Sequence, residues 1–252
     1  MNKHTVIIEP NAADLARKGA EMFSKSAKDS VGLRGRFTVT ISGGSTPRHM
    51  HRILAEEPYL SEIPWGKTHI FWADERCVPE NNPASNFGLA RKDFVDQVPV
   101  PPNQIHPMPA DASPMEGAEI YQKAVIDIFH LRKGESPVFD LILLGIGKDG
   151  HTASLFPGQK TPDDKERFVI PVKGGDPFVS RLTMTLSVIN HAKNIIFMAS
   201  GENKADIVKT ILEFPQARLP AQSIQPVNGT LTWLLDRESA SMLSKELLEE
   251  KY

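Results

Sequence analysis

Short runs of β-branched and aliphatic residues alternate along this 252-residue chain with stretches of helical period, and that alternation leaves few folds open. The runs are TVII (5–8), FTVTI (37–41), HIFWA (69–73), DLILLGI (140–146), RLTMTLSVI (181–189), NIIFMAS (194–200) and LTWLL (231–235). Several are apolar without polar alternation, as strands covered on both faces must be. Between them, residues 11–27 bring Leu15, Ala16, Ala20 and Phe23 to one helical side, and residues 116–131 align Tyr121, Val125, Ile128 and Phe129 before Gly134 stops the helix. Residues 203–214 repeat the pattern with Ala205, Val208, Ile211 and Leu212. The pattern predicts βαβ units, a mainly parallel, Rossmann-like sheet with helices on both faces, and one domain spanning 1–252. The proline-rich segment 98–115 and the polar segment 158–167 read as surface connections.

Composition narrows the function by exclusion. A net charge of −2 supplies no global field for nucleic acid or an acidic membrane, so any anion must be held locally. The N-terminal MNKHTVIIEP lacks the apolar core of a secretion signal, and nowhere do about eighteen apolar residues run together, so a soluble, cytoplasmic chain without membrane or nucleic-acid partners is expected. The single cysteine, Cys77, excludes an internal disulfide and a cysteine-based zinc cluster, and it reads as an inert packed residue.

Ligands of parallel α/β sheets bind beyond the carboxyl ends of the strands, which directs attention to the residues following each apolar run. After FTVTI comes SGGSTP (42–47): Gly43 and Gly44 allow close backbone approach, Ser45 and Thr46 add hydroxyls, and Pro47 suits a helix start whose positive end favours a phosphate. An ordinary strand-to-helix turn fits the same letters. After HIFWA comes DERCVP (74–79), where Asp74 and Glu75 precede Arg76; one acid is expected to form a structural ion pair with the arginine, whose planar donors also suit a polyoxygen substrate. The small polar residues of NNPASNFG (81–88) read as a turn or a loop contacting ligand.

After DLILLGI comes GKDGHTASLFPG. Gly145, Gly147 and Gly150 spell a dinucleotide fingerprint, yet no second strand ending in an acid follows, so that reading fails. What remains is a glycine turn presenting Asp149 and His151, the residue types of a general base and its orienting carboxylate. After NIIFMAS, Gly201 makes a turn and Lys204 falls in the first turn of a helix, where a cation is unfavourable unless an anion holds it. Arg181, at the start of its run, is a further candidate cation. No histidine pair has metal-ligand spacing beside carboxylates. Together the loops predict one rim carrying a hydroxyl–glycine cradle, cations and a histidine, suited to a small phosphorylated substrate.

SGGSTP, WADER, NFG, GIGKDGHTASLFPG and GENKA stand in the order and approximate spacing of the 6-phosphogluconolactonases, which this chain resembles over nearly its whole length. The resemblance implies the three-layer α/β/α sandwich shared with glucosamine-6-phosphate deaminase and ribose-5-phosphate isomerase. It implies hydrolysis of 6-phospho-D-glucono-1,5-lactone to 6-phosphogluconate in the oxidative pentose phosphate pathway, with neither metal nor organic cofactor. In that frame His151 is the general base with Asp149 beside it, Arg76 positions the sugar and steadies developing negative charge, and Asp74 contacts substrate. The Gly43–Gly44–Ser45–Thr46 loop, Lys204 and Arg181 hold the phosphate, in a monomer or weak homo-oligomer.

The related deaminases read DEY where this chain has DER and GHIAFNEP where it has GHTASLFPG, so the acid they place five residues after the histidine is here Phe156. Two other classes compete. A sugar-phosphate-binding regulator without turnover has no need of His151, and a nucleotide-binding oxidoreductase lacks its acidic residue.

Overall fold

The computed structural model describes residues 4–159 and 166–249. In chain order the strands are β1 (His4–Glu9), β2 (Phe37–Ile41), β3 (Thr68–Trp72), β4 (Asp74–Arg76), β5 (Ile105–His106), β6 (Leu141–Leu144), β7 (Val169–Gly174), β8 (Val179–Met184), β9 (Asn194–Ala199) and β10 (Thr230–Asp236). The helices are α1 (Ala12–Arg34), α2 (Ser45–Leu54), α3 (Tyr59–Glu62), α4 (Asn86–Ala90), α5 (Pro114–Phe129), α6 (Leu186–Asn190), α7 (Ala205–Glu213) and α8 (Lys245–Glu249).

Seven strands form a parallel sheet in the order β1-β10-β9-β6-β2-β3-β5, flanked by helices in a three-layer α/β sandwich. Every residue of β2 and β6 is buried, which accounts for their unbroken apolar sequence. The chain runs outward from β2 through β3 to β5, then returns to the other side of β2 as β6 and continues to β9 and β10. Strand order therefore reverses between β2 and β6, and a crevice opens beyond their carboxyl ends.

Several elements depart from the sequence reading. RLTMTLSVI is two elements: β8 ends at Met184, and Leu186 begins α6. β8 lies outside the parallel sheet, between β4 and β7 in a three-stranded antiparallel sheet. DER is itself a strand, because the chain passes from β3 through Ala73 directly into this second sheet. Apolar periodicity could not assign it, since a three-residue edge strand is too short to display a period. α1 continues to Arg34, where Gly35 in a left-handed conformation ends it, and α5 ends at His130 rather than near Gly134. The connection 98–115 contains β5 and the start of α5, with Pro114 in the first turn. The segment 158–167 lies largely outside the described residues.

Away from the crevice, buried Asp140 ties three elements together. Its carboxylate accepts from the Thr38 N–H and hydroxyl (2.9 and 3.0 Å), from Arg34 (2.7 Å) and from Lys193 (2.9 Å). His51 of α2 is buried against Phe94, their ring centroids 4.9 Å apart, and neither ring nitrogen has a hydrogen-bond partner among the described residues. Burial pushes the His51 imidazole down to about 4, and burial with His69 beside it pushes His106 to about 4 as well. The folded chain then stays neutral at these rings while the unfolded chain takes up protons below about 6.5. Stability should therefore fall with pH between about 6.5 and 4, by about 3 kcal/mol for His51, and level off below. Urea unfolding of His51→Leu at pH 7.5, 5 and 4 should show a shallower acid loss than the parent; an unchanged slope would mean the ring is protonated in the folded state.

Candidate active site

Four loops leave neighbouring strands at the switch point and line one cavity of about 170 Å³. It is bordered by Ser42–Pro47 after β2, Asp74 and Arg76 on β4, Gly145–Gly147, His151 and Ala153 after β6, Arg181 on β8, and Lys204 after β9. The rim predicted from sequence is thus assembled, with Asp149 held against His151 at its edge. A larger cavity of about 900 Å³ lies at the amino ends of β1 and β10, lined by residues such as His4, Ile211, Gln222, Ile224 and Trp233. It holds neither the Asp149–His151 pair nor the cluster of cations found at the smaller one.

The glycine loop begins where Ile41 ends β2. Gly44 caps α2 with no side chain, so no side-chain acceptor fills the first-turn N–H groups of Ser45 and Thr46, the arrangement that receives an anion.

Asp149 and His151 sit in the turn after β6. The Asp149 carboxylate accepts from the His151 N–H (3.1 Å) and lies 2.5 Å from its ring Nδ1. A Cβ on Gly147 would stand 2.0 Å from that Nδ1 and 2.6 Å from the carboxylate, so only glycine permits the pair to fold back this closely. Burial raises the Asp149 carboxyl, but the donors from His151 outweigh it and hold the group below the usual carboxylate range. A carboxylate on Nδ1 fixes the tautomer with the proton on Nδ1 and the lone pair on Nε2. The imidazole also packs on Phe156, with centroids 5.0 Å apart, and Phe156 in turn lies 5.6 Å from the Arg181 guanidinium carbon. Sequence comparison with the deaminases marked Phe156 only as a missing acid; its contacts make it the apolar wall between the histidine and Arg181.

The cations are short of counter-charge. Arg76 and Arg181 are directly opposed across the antiparallel β4–β8 pair, an arrangement that like charges disfavour. Arg181 is buried and donates to backbone carbonyls, Nε to Gly174 (2.8 Å) and Nη2 to Pro177 (3.2 Å). Burial, together with the charge of Arg76, pushes its guanidinium down. Lys204 is half-buried and donates to the Ile146 carbonyl at 2.8 Å; burial and then Lys148 lower its ammonium. It precedes α7 in a single 3₁₀ turn rather than lying inside the helix. Asp236 braces that turn, accepting from the Ser200 hydroxyl and the Gly201 N–H.

The expected ion pair at DER does not form: among the described residues, Arg76 pairs with neither acid. Glu75 turns inward, accepting from the N–H groups of Arg76, Asn86 and Phe87 (2.7–2.8 Å). Burial outweighs those donors and pushes its carboxyl up. Asp74, also buried, accepts from the Ser154 hydroxyl at 2.6 Å and remains on the cavity wall. Ser154 escaped the sequence reading although it lies in the histidine motif, because the pairing spans 80 residues. Cys77 is half-buried against the core, and burial followed by Glu75 pushes its thiol up, as suits a packed residue. Among the described residues no group of three or more His, Cys, Asp or Glu side chains is placed to hold a metal ion, and no helix is long and apolar enough to cross a membrane.

This arrangement can bind an anion against three cations and helix N–H groups, and offer an imidazole lone pair to a water nearby. Known proteins are similar to this chain in sequence and fold. Residues 10–233 match the family model described as glucosamine-6-phosphate isomerases/6-phosphogluconolactonase. A 6-phosphogluconolactonase of Synechocystis sp. is 40% identical over 218 residues, covering 85% of this chain and 88% of the relative. That of Rattus norvegicus is 38% identical over 237 residues, covering 92% and 90%. The solved 6-phosphogluconolactonase from Trypanosoma cruzi superposes with a TM-score of 0.85 at 27% identity, over 96% of this chain and 98% of its own. On this sequence match and shared fold, the chain belongs to the glucosamine-6-phosphate isomerase/6-phosphogluconolactonase family.

Proposed function

We propose that this chain, acting as one domain, hydrolyses 6-phospho-D-glucono-1,5-lactone to 6-phospho-D-gluconate in the oxidative pentose phosphate pathway, with His151 as general base. The observation that carries the reading is the Asp149–His151 pair facing the same cavity as Arg76, Arg181 and Lys204. A ligand that is anionic at one end and electrophilic at the other fits both halves. The relatives named above, all 6-phosphogluconolactonases, support the lactone over an amino sugar, as does Phe156 in place of an acid.

In this mechanism the 6-phosphate lies at the N–H groups after Gly43 and Gly44, with the Ser45 and Thr46 hydroxyls, Lys204 and Arg181 around it. Asp74 accepts from a sugar hydroxyl. Nε2 of His151 takes a proton as water adds to the lactone carbonyl carbon, and Asp149 stabilises the imidazolium so formed. Negative charge develops on the former carbonyl oxygen, where Arg76 stands as donor. Collapse of the tetrahedral adduct breaks the bond from that carbon to the ring oxygen, which receives the proton from His151. The acid product then ionises to 6-phosphogluconate. No covalent enzyme intermediate and no cofactor take part.

His151→Ala should lower kcat roughly 10²–10⁴-fold, the usual contribution of a positioned base, with little change in affinity for 6-phosphogluconate. The measurement is lactone turnover coupled to a dehydrogenase, and a variant keeping most of its kcat removes His151 from the mechanism. Lys204→Ala should weaken the phosphorylated lactone far more than unphosphorylated gluconolactone. Equal losses on both substrates would place Lys204 outside the phosphate site.

A further inference from the structure

Asn86 occupies the first position of α4, lines the cavity and is 3% exposed. One amide there reaches three walls of the site. Its Oδ1 accepts from Arg76 Nη1 at 2.5 Å, while its Nδ2 donates to the Asp74 backbone carbonyl at 2.8 Å and to the Asp74 carboxylate at 3.3 Å. On its third side it abuts the glycine loop: a Cβ on Gly43 would stand 1.9 Å from Asn86 Oδ1. Any other residue at 43 would therefore displace the amide or the loop.

The surrounding bonds fix the amide rather than merely fill space. The Asn86 N–H donates to Glu75 Oε1 at 2.8 Å, and Ser85 caps α4 through Gly88. Glu75 is thereby committed to the backbone of α4 and cannot neutralise Arg76. Arg76 makes its remaining protein bond through the same Nη1, to the Ala84 carbonyl at 3.1 Å, and its buried Nε has no partner. Both anchors of the guanidinium are thus uncharged oxygens in the Ala84–Asn86 segment. An amide satisfies the geometry of a guanidinium without cancelling its charge, whereas a carboxylate at the same position would cancel it.

We propose that Asn86 is a positioning residue for the reaction: it sets the orientation of Arg76 and Asp74 toward substrate and the close approach of the Gly43 loop, keeping Arg76 charged but held. The proposal rests on the lactone hydrolase reading for the identity of the substrate, although the contacts themselves do not depend on it.

The test is a double-mutant cycle between Asn86→Ala and Arg76→Met, read in kcat/KM for the phosphorylated lactone and in Kd for 6-phosphogluconate by calorimetry. Asn86→Ala alone should lower kcat/KM roughly 10–100-fold, the range for a buried bond to a charged group. In the Arg76→Met background the same change should cost several-fold less than in the parent, because one of the groups it acts through is gone while its contacts to Asp74 and the Gly43 loop remain. The pH at which the acid limb of kcat/KM turns should stay where it is in the parent, since the His151 loop is untouched. Independent, multiplying losses in the cycle would overturn the proposal, as would a loss below about two-fold in the single variant. Should Asn86→Ala fail to fold by circular dichroism, Asn86→Ser, which keeps a short polar group in the buried position, carries the same cycle. An inactive parent protein would sink the hydrolase reading on its own; the calorimetric cycle would then still decide for or against Asn86.

Discussion

The site depends on two buried strands that part company at their carboxyl ends. β2 and β6 lie side by side with no exposed residue, so neither presents a polar group to solvent along its length. Only where they stop can chemistry reach solvent, and the reversal of strand order between them keeps a connecting helix from covering that point. The glycine loop after β2 and the histidine loop after β6 consequently face each other across one opening. Their neighbours β3 and β9, continuing the same sheet, deliver Asp74, Arg76 and Lys204 to its sides.

Charge follows a second constraint. Arg76, Arg181 and Lys204 donate their side-chain hydrogen bonds to the carbonyls of Ala84, Gly174, Pro177 and Ile146 and to the Asn86 amide oxygen. Neutral acceptors satisfy the geometry of a cation without removing its field, so the positive potential remains available to an anion. The acids nearby are diverted elsewhere: Glu75 to the backbone of α4, Asp149 to His151. The pairing of Arg76 opposite Arg181 is unfavourable by itself and is tolerated because the Ala84–Asn86 segment holds the first side chain and the β7–β8 hairpin the second.

Stability is drawn from another part of the molecule. Asp140 stands at the opposite ends of β2 and β6, where Arg34, Lys193 and Thr38 surround it with charged and neutral donors. There a buried carboxylate is matched by cations, the reverse of the arrangement at the cavity, and removing the two cations would leave that carboxylate buried without counter-charge. The unpartnered ring of His51 adds to folding only while neutral.

The sequence by itself determined the strand–helix alternation, the parallel sheet and the loops that carry chemistry. Each of these is a local property: apolar runs bury, glycine pairs turn, and residues two apart such as Asp149 and His151 meet whatever the rest of the chain does. Tertiary structure alone decided that DER is a strand of a second sheet, that Arg181 lies opposite Arg76, that Glu75 belongs to α4, and that Ser154 and Asn86 flank Asp74. These pairings span from about ten to more than a hundred residues, and no periodicity encodes them, because they are set by which strand edges are left open once the parallel sheet has closed around its core.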